Sequence, residues 1–151
     1  MKHALSVVFA VMLTVTLAPA NGAVSAAPLA THVAAGTVKV TVTYKGKGTV
    51  DASHKLWVWV FDTPNIGAGS MPIDQISLDK NGAEAVFENV AGETVYIAAA
   101  FDESGSMIGD APPPTGSPIG ILSGAQGAPA GVTPGATTTA VLNFDDSIRM
   151  P

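Results

Sequence analysis

The chain has 151 residues, with seven Lys and Arg against twelve Asp and Glu, a formal net charge of −5, and no cysteine. Disulfides, thiolate metal sites, blue copper and a lipid-modified N-terminal cysteine are therefore excluded. So is a basic nucleic-acid face, because Lys39, Lys45, Lys47 and Lys55 form only a modest group in an acidic chain.

Lys2 and His3 precede an uncharged run from Ala4 to Ala18 that is rich in Val, Leu and Ala. At about 15 residues such a run suits a secretory h-region better than a membrane span. The small residues Ala18-Pro19-Ala20 and Asn21-Gly22-Ala23 follow it, in place of a basic stop-transfer cluster. Residues 1–23 are expected to be a signal peptide, an uncleaved anchor being the alternative. Export is secretory or periplasmic, with no membrane span after cleavage. Residues 24–35 read as a flexible N-terminal arm and residues 36–151 as one β-sandwich domain.

Within that domain Val38, Val40, Val42 and Tyr44 alternate with Thr37, Lys39, Thr41 and Thr43, the period of a half-buried strand. Lys45-Gly46-Lys47-Gly48 ends it as a turn. Lys55 to Asp62 (KLWVWVFD) is a second strand, rich in β-branched and aromatic residues. Pro64, Gly67, Gly69 and Pro72 break the chain, and Ile76 to Leu78 is expected as a short edge strand. Asn81-Gly82 signals a tight turn. Ala83 to Val90 and Thr94 to Phe101 follow as strands, and Thr137 to Phe144 is the last clear one. No helical period is present in residues 24–151. The expectation is an all-β, antiparallel sandwich of about 6–7 strands.

The second and fifth strands are apolar on both faces, which marks them as central and covered twice. Leu56, Val58 and Val60 oppose Trp57, Trp59 and Phe61; Val95, Ile97, Ala99 and Phe101 oppose Tyr96, Ala98 and Ala100. The expected cover is Glu103 to Ala136, which contains eight glycines and six prolines and is long for a loop without structure. Its apolar island, Pro118 to Leu122, is expected to lie back over the tryptophan face as a short strand.

Asn81 to Asp102 (NGAEAVFENVAGETVYIAAAFD) carries Phe87-x-Asn89-Val90, then Gly92, then Tyr96 and an apolar strand. This spacing resembles the prealbumin-like (transthyretin-like) modules, above all the carboxypeptidase-regulatory-like and collagen-adhesin B-type repeats. The resemblance covers about 22 residues closely and the first strand loosely. It implies a sandwich with Phe87 and Val90 plugging one end and Tyr96 packed across the Gly92 turn. It also implies an accessory, adhesive or ligand-binding role. Adhesin modules of this kind join a first-strand lysine covalently to a last-strand asparagine. Lys39 and Asn143 occupy the matching strands, but the alternation places both on the solvent face.

No catalytic residue is assigned. His32 and His54 stand outside HExxH or GxSxG patterns, although a small exported hydrolase with a buried histidine remains the rival from another class. Calcium is the one cofactor for which the sequence offers ligands. Asp102, Ser104, Ser106 and Asp110 set oxygens around Gly105, with Asp145 and Asp146 as additional oxygens if they reach the same end. The competing reading is a polar turn leaving a strand, and an EF-hand is excluded because its twelfth position would be Pro113. Trp57, Trp59 and Phe61 form an aromatic row that either stacks on a sugar or protein partner or belongs to the core. The partner would be a protein or a carbohydrate.

Overall fold

The computed structural model describes residues 35–67 and 69–151. The signal-peptide expectation, the arm up to residue 34 and His32 lie outside the described residues. Seven strands and no helix are present among them: β1 (Gly36–Tyr44), β2 (Leu56–Phe61), β3 (Asp74–Leu78), β4 (Glu84–Val90), β5 (Tyr96–Phe101), β6 (Ile119–Ile121) and β7 (Thr138–Phe144). They form two layers, a three-stranded sheet ordered β4-β1-β7 and a four-stranded sheet ordered β3-β2-β5-β6. The all-β sandwich is as the sequence reading expects.

The core follows from the alternation. In β1 every second residue from Val38 to Tyr44 is buried, and Thr37, Lys39, Thr41 and Thr43 are half-exposed. From the other sheet Leu56, Val58, Val60, Val95, Ile97, Ala99 and Phe101 meet them, and Leu142 and Phe144 close the layer. Aromatic contacts pin one end: the Tyr44 ring stacks on Phe101 with centroids 4.4 Å apart and tilts against Phe144 at 5.2 Å.

The Phe87-x-Asn89-Val90 motif has a specific geometry. Phe87 and Val90 are three residues apart, so a regular pleat would send them to opposite faces. Both are buried, because the β1–β4 register slips between Gly36 and Val38 and Asn89 takes φ of 57°. A bulge at Glu88–Asn89 resets the pleat, and asparagine tolerates the left-handed conformation it requires.

Two features differ from the sequence reading. The β1–β7 pair is parallel, where antiparallel pairing was expected throughout. Asn81-Gly82 forms the tight turn expected of it, the Ala83 amide donating to the Lys80 carbonyl at 3.4 Å, and it carries the chain from β3 in one sheet to β4 in the other. There Asn81 imitates a strand residue, its Oδ1 accepting from the Tyr44 amide at 2.8 Å and its Nδ2 donating to the Tyr44 carbonyl at 2.7 Å. Finally, the Pro118–Leu122 island forms the expected short strand but does not lie across the tryptophan face, where Ile119 and Ile121 pack only from the side. It extends the sheet sideways as β6, paired with β5 through Ala98–Ile121 and Ala100–Ile119. Pairing there satisfies backbone groups that a strand laid across the face would leave without partners. Leu122 consequently turns into the inter-sheet core.

Candidate functional site

The outer face of the four-stranded sheet holds a second apolar cluster. Trp59, Phe61, Ala98, Ala100 and Met107 are buried in it, and Trp57, Ile66, Tyr96, Ile119 and Ile121 pack around it. The register explains the arrangement. Trp59 lies between Gln75 and Ala98, with Ile121 beyond; Trp57 lies between Ser77 and Ala100, with Ile119 beyond; and Phe61 is paired with Tyr96. The two indoles are stacked, 6.4 Å between centroids and 21° between planes.

The loop after β5 seals half of this face. Met107 is inserted into the cluster, and the Trp59 indole N–H donates to the Gly109 carbonyl at 3.2 Å and to Gln75 Oε1 at 3.1 Å. Gln75 Nε2 donates in turn to Asp110 Oδ1 at 2.7 Å. Glycine at 109 permits this close approach, since a Cβ there would lie 2.5 Å from the Trp57 ring and 2.6 Å from the Gln75 side chain and would force them to shift. Trp59 and Phe61 are thereby buried, at 5% and 6% exposure. Trp57 stays half-buried, with Tyr96, Ile119 and Ile121. The Trp57 indole nitrogen is buried and has no hydrogen-bond partner among the described residues.

Asp102 begins the sealing loop. Its side chain is buried, Oδ1 accepting from the Ser104 and Ser106 amides at 3.2 and 3.3 Å and from Ser104 Oγ at 3.0 Å. Oδ2 accepts from the Met107 amide at 2.8 Å. The four residues chosen as calcium ligands thus divide: Asp102, Ser104 and Ser106 fold the loop on one carboxylate, while Asp110 is turned to Gln75. Among the described residues no three His, Asp or Glu side chains gather as a metal site.

Of Asp145 and Asp146, the latter reaches the end of the sandwich where this loop starts, and the charge that joins it to the loop is the Arg149 guanidinium; Asp145 Oδ1 instead accepts from the Ser147 amide at 2.9 Å. Arg149 donates to both oxygens of Glu103 at 2.8 and 3.2 Å and stands 3.5 Å from Asp146. Asp146 also accepts from the Tyr44 hydroxyl and from the Lys47 amide at 3.1 Å. The Tyr44 hydrogen bond, followed by the Lys47 amide, holds the Asp146 carboxyl below its ordinary range. Burial, with the carboxylate beside it, pushes the Tyr44 phenol up to about 12.

His54 lies in an exposed turn, its Nδ1 3.2 Å from Asp51 Oδ1, which also accepts the Ser53 and His54 amides. Lys39 pairs with Glu84 at 3.2 Å on the outer face of β1, and Asn143 is exposed on β7. β1 sets Thr43, not Lys39, opposite Asn143. The aromatic row was legible as a row. Gln75, Met107 and Gly109, which bind and cover it, were not, nor was Arg149, which pairs with Glu103 and Asp146.

No family model matches this chain, and no curated protein sequence matches it. Among solved structures it is similar to the pilus-presented adhesin Spy0125 (Cpa), at 9% identity and TM-scores of 0.31 in one crystal form and 0.32 in a cysteine-to-alanine mutant. The match covers 74% of this chain, which spans 26% of that adhesin chain. Likeness at that level carries no argument about shared function.

Proposed function

We propose that the chain is an exported, non-catalytic β-sandwich of the prealbumin-like type, acting as a binding or structural accessory module. One observation carries this reading. The outer face of β2 and β5 bears an apolar cluster that the chain's own loop covers only on its Met107–Gly109 side. The remaining strip of Trp57, Tyr96, Ile119 and Ile121 keeps apolar surface in water. Half-covered aromatic and aliphatic strips at strand spacing suit a protein or carbohydrate partner. Trp59 and Phe61 serve as the rigid floor of that strip, not as contact residues.

The bulged Phe87–Val90 corner supports the prealbumin-like assignment, and the segment of residues 1–23 supports export. The test is retention of a partner from the exported fraction, or of a glycan on an array, by the immobilised domain. Tyr96→Ala combined with Ile121→Ser should abolish retention while leaving the melting transition cooperative. Retention unchanged by that pair, or no retention in either format, overturns the reading.

A further inference from the structure

Each sheet has two edges, and three of the four are guarded. β4 shows Glu84 and Glu88 to solvent, β3 opens with exposed Asp74, and β6 is three residues long with its Ile119 amide donating to the Ile148 carbonyl. Charge, brevity and cover are the usual protections of a sheet edge. The edge of β7 has none of them. Its seven residues, Thr138 to Phe144, include no charge, no proline and no glycine.

The register fixes which backbone groups face outward there. The Phe144 carbonyl accepts from the Lys45 amide, so in this parallel pair Ala140, Leu142 and Phe144 turn their backbone groups to β1. Thr139, Val141 and Asn143 turn theirs to the open edge, where no strand pairs with them among the described residues. Val141 is 59% exposed, and nearby Ile148 is 61% exposed. Together with Ile119, Ile121, Asn143 and Asp145 they line a groove of about 430 Å³ along this edge.

We propose that this edge pairs antiparallel with β7 of a second copy, about a two-fold axis through Val141. The sequence is self-complementary in that arrangement. Val141 faces Val141 of the other copy, and Thr139 faces Asn143 in both directions, each pair exchanging two backbone hydrogen bonds. Charge selects the direction. Asp145 and Asp146 follow the strand at one end only, so antiparallel pairing sets them beside uncharged Ala136 and Thr137 of the other copy. Parallel pairing would place Asp145 against Asp145, like charges directly opposed. The outer-face strip shares Ile119 and Ile121 with this groove, whereas Val141 and the pairing backbone of β7 lie outside the strip.

Sedimentation of the mature exported chain across a concentration series tests the proposal, with amide hydrogen exchange read alongside. A reversible dimer is expected, with the Val141 and Asn143 amides gaining protection as it forms. Val141→Lys sets like charges across the axis at an already exposed position and should weaken the dimer about tenfold or more, leaving the monomer folded. Val141→Thr should retain it. A chain monomeric throughout the series overturns the proposal. So does a dimer indifferent to Val141→Lys, or a Val141 amide protected in the monomer, which would mean that the edge is covered by another segment of the same chain.

Discussion

The indole of Trp59 and the carbonyl of Gly109, fifty positions apart, meet at 3.2 Å beneath the loop that seals the outer face. With Gln75 as second acceptor at 3.1 Å, this bond fastens the loop to the sheet. Its neighbour Trp57 contributes ring surface only, because its own indole nitrogen is buried without a partner among the described residues.

The two tryptophans should therefore respond differently to the same change. Trp59→Phe removes a donor shared by two acceptors and should cost about 1–3 kcal/mol in denaturant melts. Trp57→Phe removes a donor that has no partner among the described residues, so the change should stay within about 1 kcal/mol in either direction. Equal losses at the two positions would mean that the loop is not held through Trp59.

How far the sequence carries the fold can be judged from particular residues. The alternation from Val38 to Tyr44 places one face of β1 inward with no further information, and the double apolar pattern of Leu56 to Phe61 and Val95 to Phe101 places both strands centrally. The direction of β7 is not written in Thr138 to Phe144, since parallel and antiparallel neighbours ask for the same residues. Nor is the Trp59–Gly109 bond, which joins a side chain to a backbone atom far along the chain and leaves no periodic trace. The row of Trp57, Trp59 and Phe61 was visible; its division into a sealed part and an open part depends on Met107 and Gly109, inside a stretch that composition marks only as rich in glycine and proline.

Tyr44 and Asp146 make stability depend on pH at both extremes. Asp146 is held below its ordinary value of 3.8, first by the Tyr44 hydroxyl and then by the Lys47 amide. Its contribution is present above that value and is lost as the solution is acidified through the lower folded value. Tyr44 is raised from 10.0 to about 12, so its contribution is full below 10.0 and disappears as the pH climbs towards 12. Melts of wild type and Tyr44→Phe should differ most between these limits and converge at either end. A gap that is constant across the whole range would show that the hydroxyl and the carboxylate are not coupled.

Asp102 organises the sealing loop through four accepted hydrogen bonds. Asp102→Ala should cost at least about 2 kcal/mol, the range for bonds to a charged group, and should loosen Met107 from the aromatic cluster. Melts in millimolar calcium and in chelator decide what the carboxylate serves. A loop organised by amides gives the same transition in both, whereas an ion-binding loop is stabilised by calcium through mass action.

The division of the outer face into a sealed half and an open strip underlies the proposed binding role, and tryptophan quenching by acrylamide reads it directly. Trp57→Phe leaves only Trp59, which the loop buries at 5% exposure, whereas wild type adds the half-exposed Trp57. The variant should emit further to the blue than wild type and be quenched less. Restoring access by Met107→Ala in the same background should raise the quenching. If Trp57→Phe is quenched as strongly as wild type, the loop does not seal Trp59, and the open strip loses its boundary.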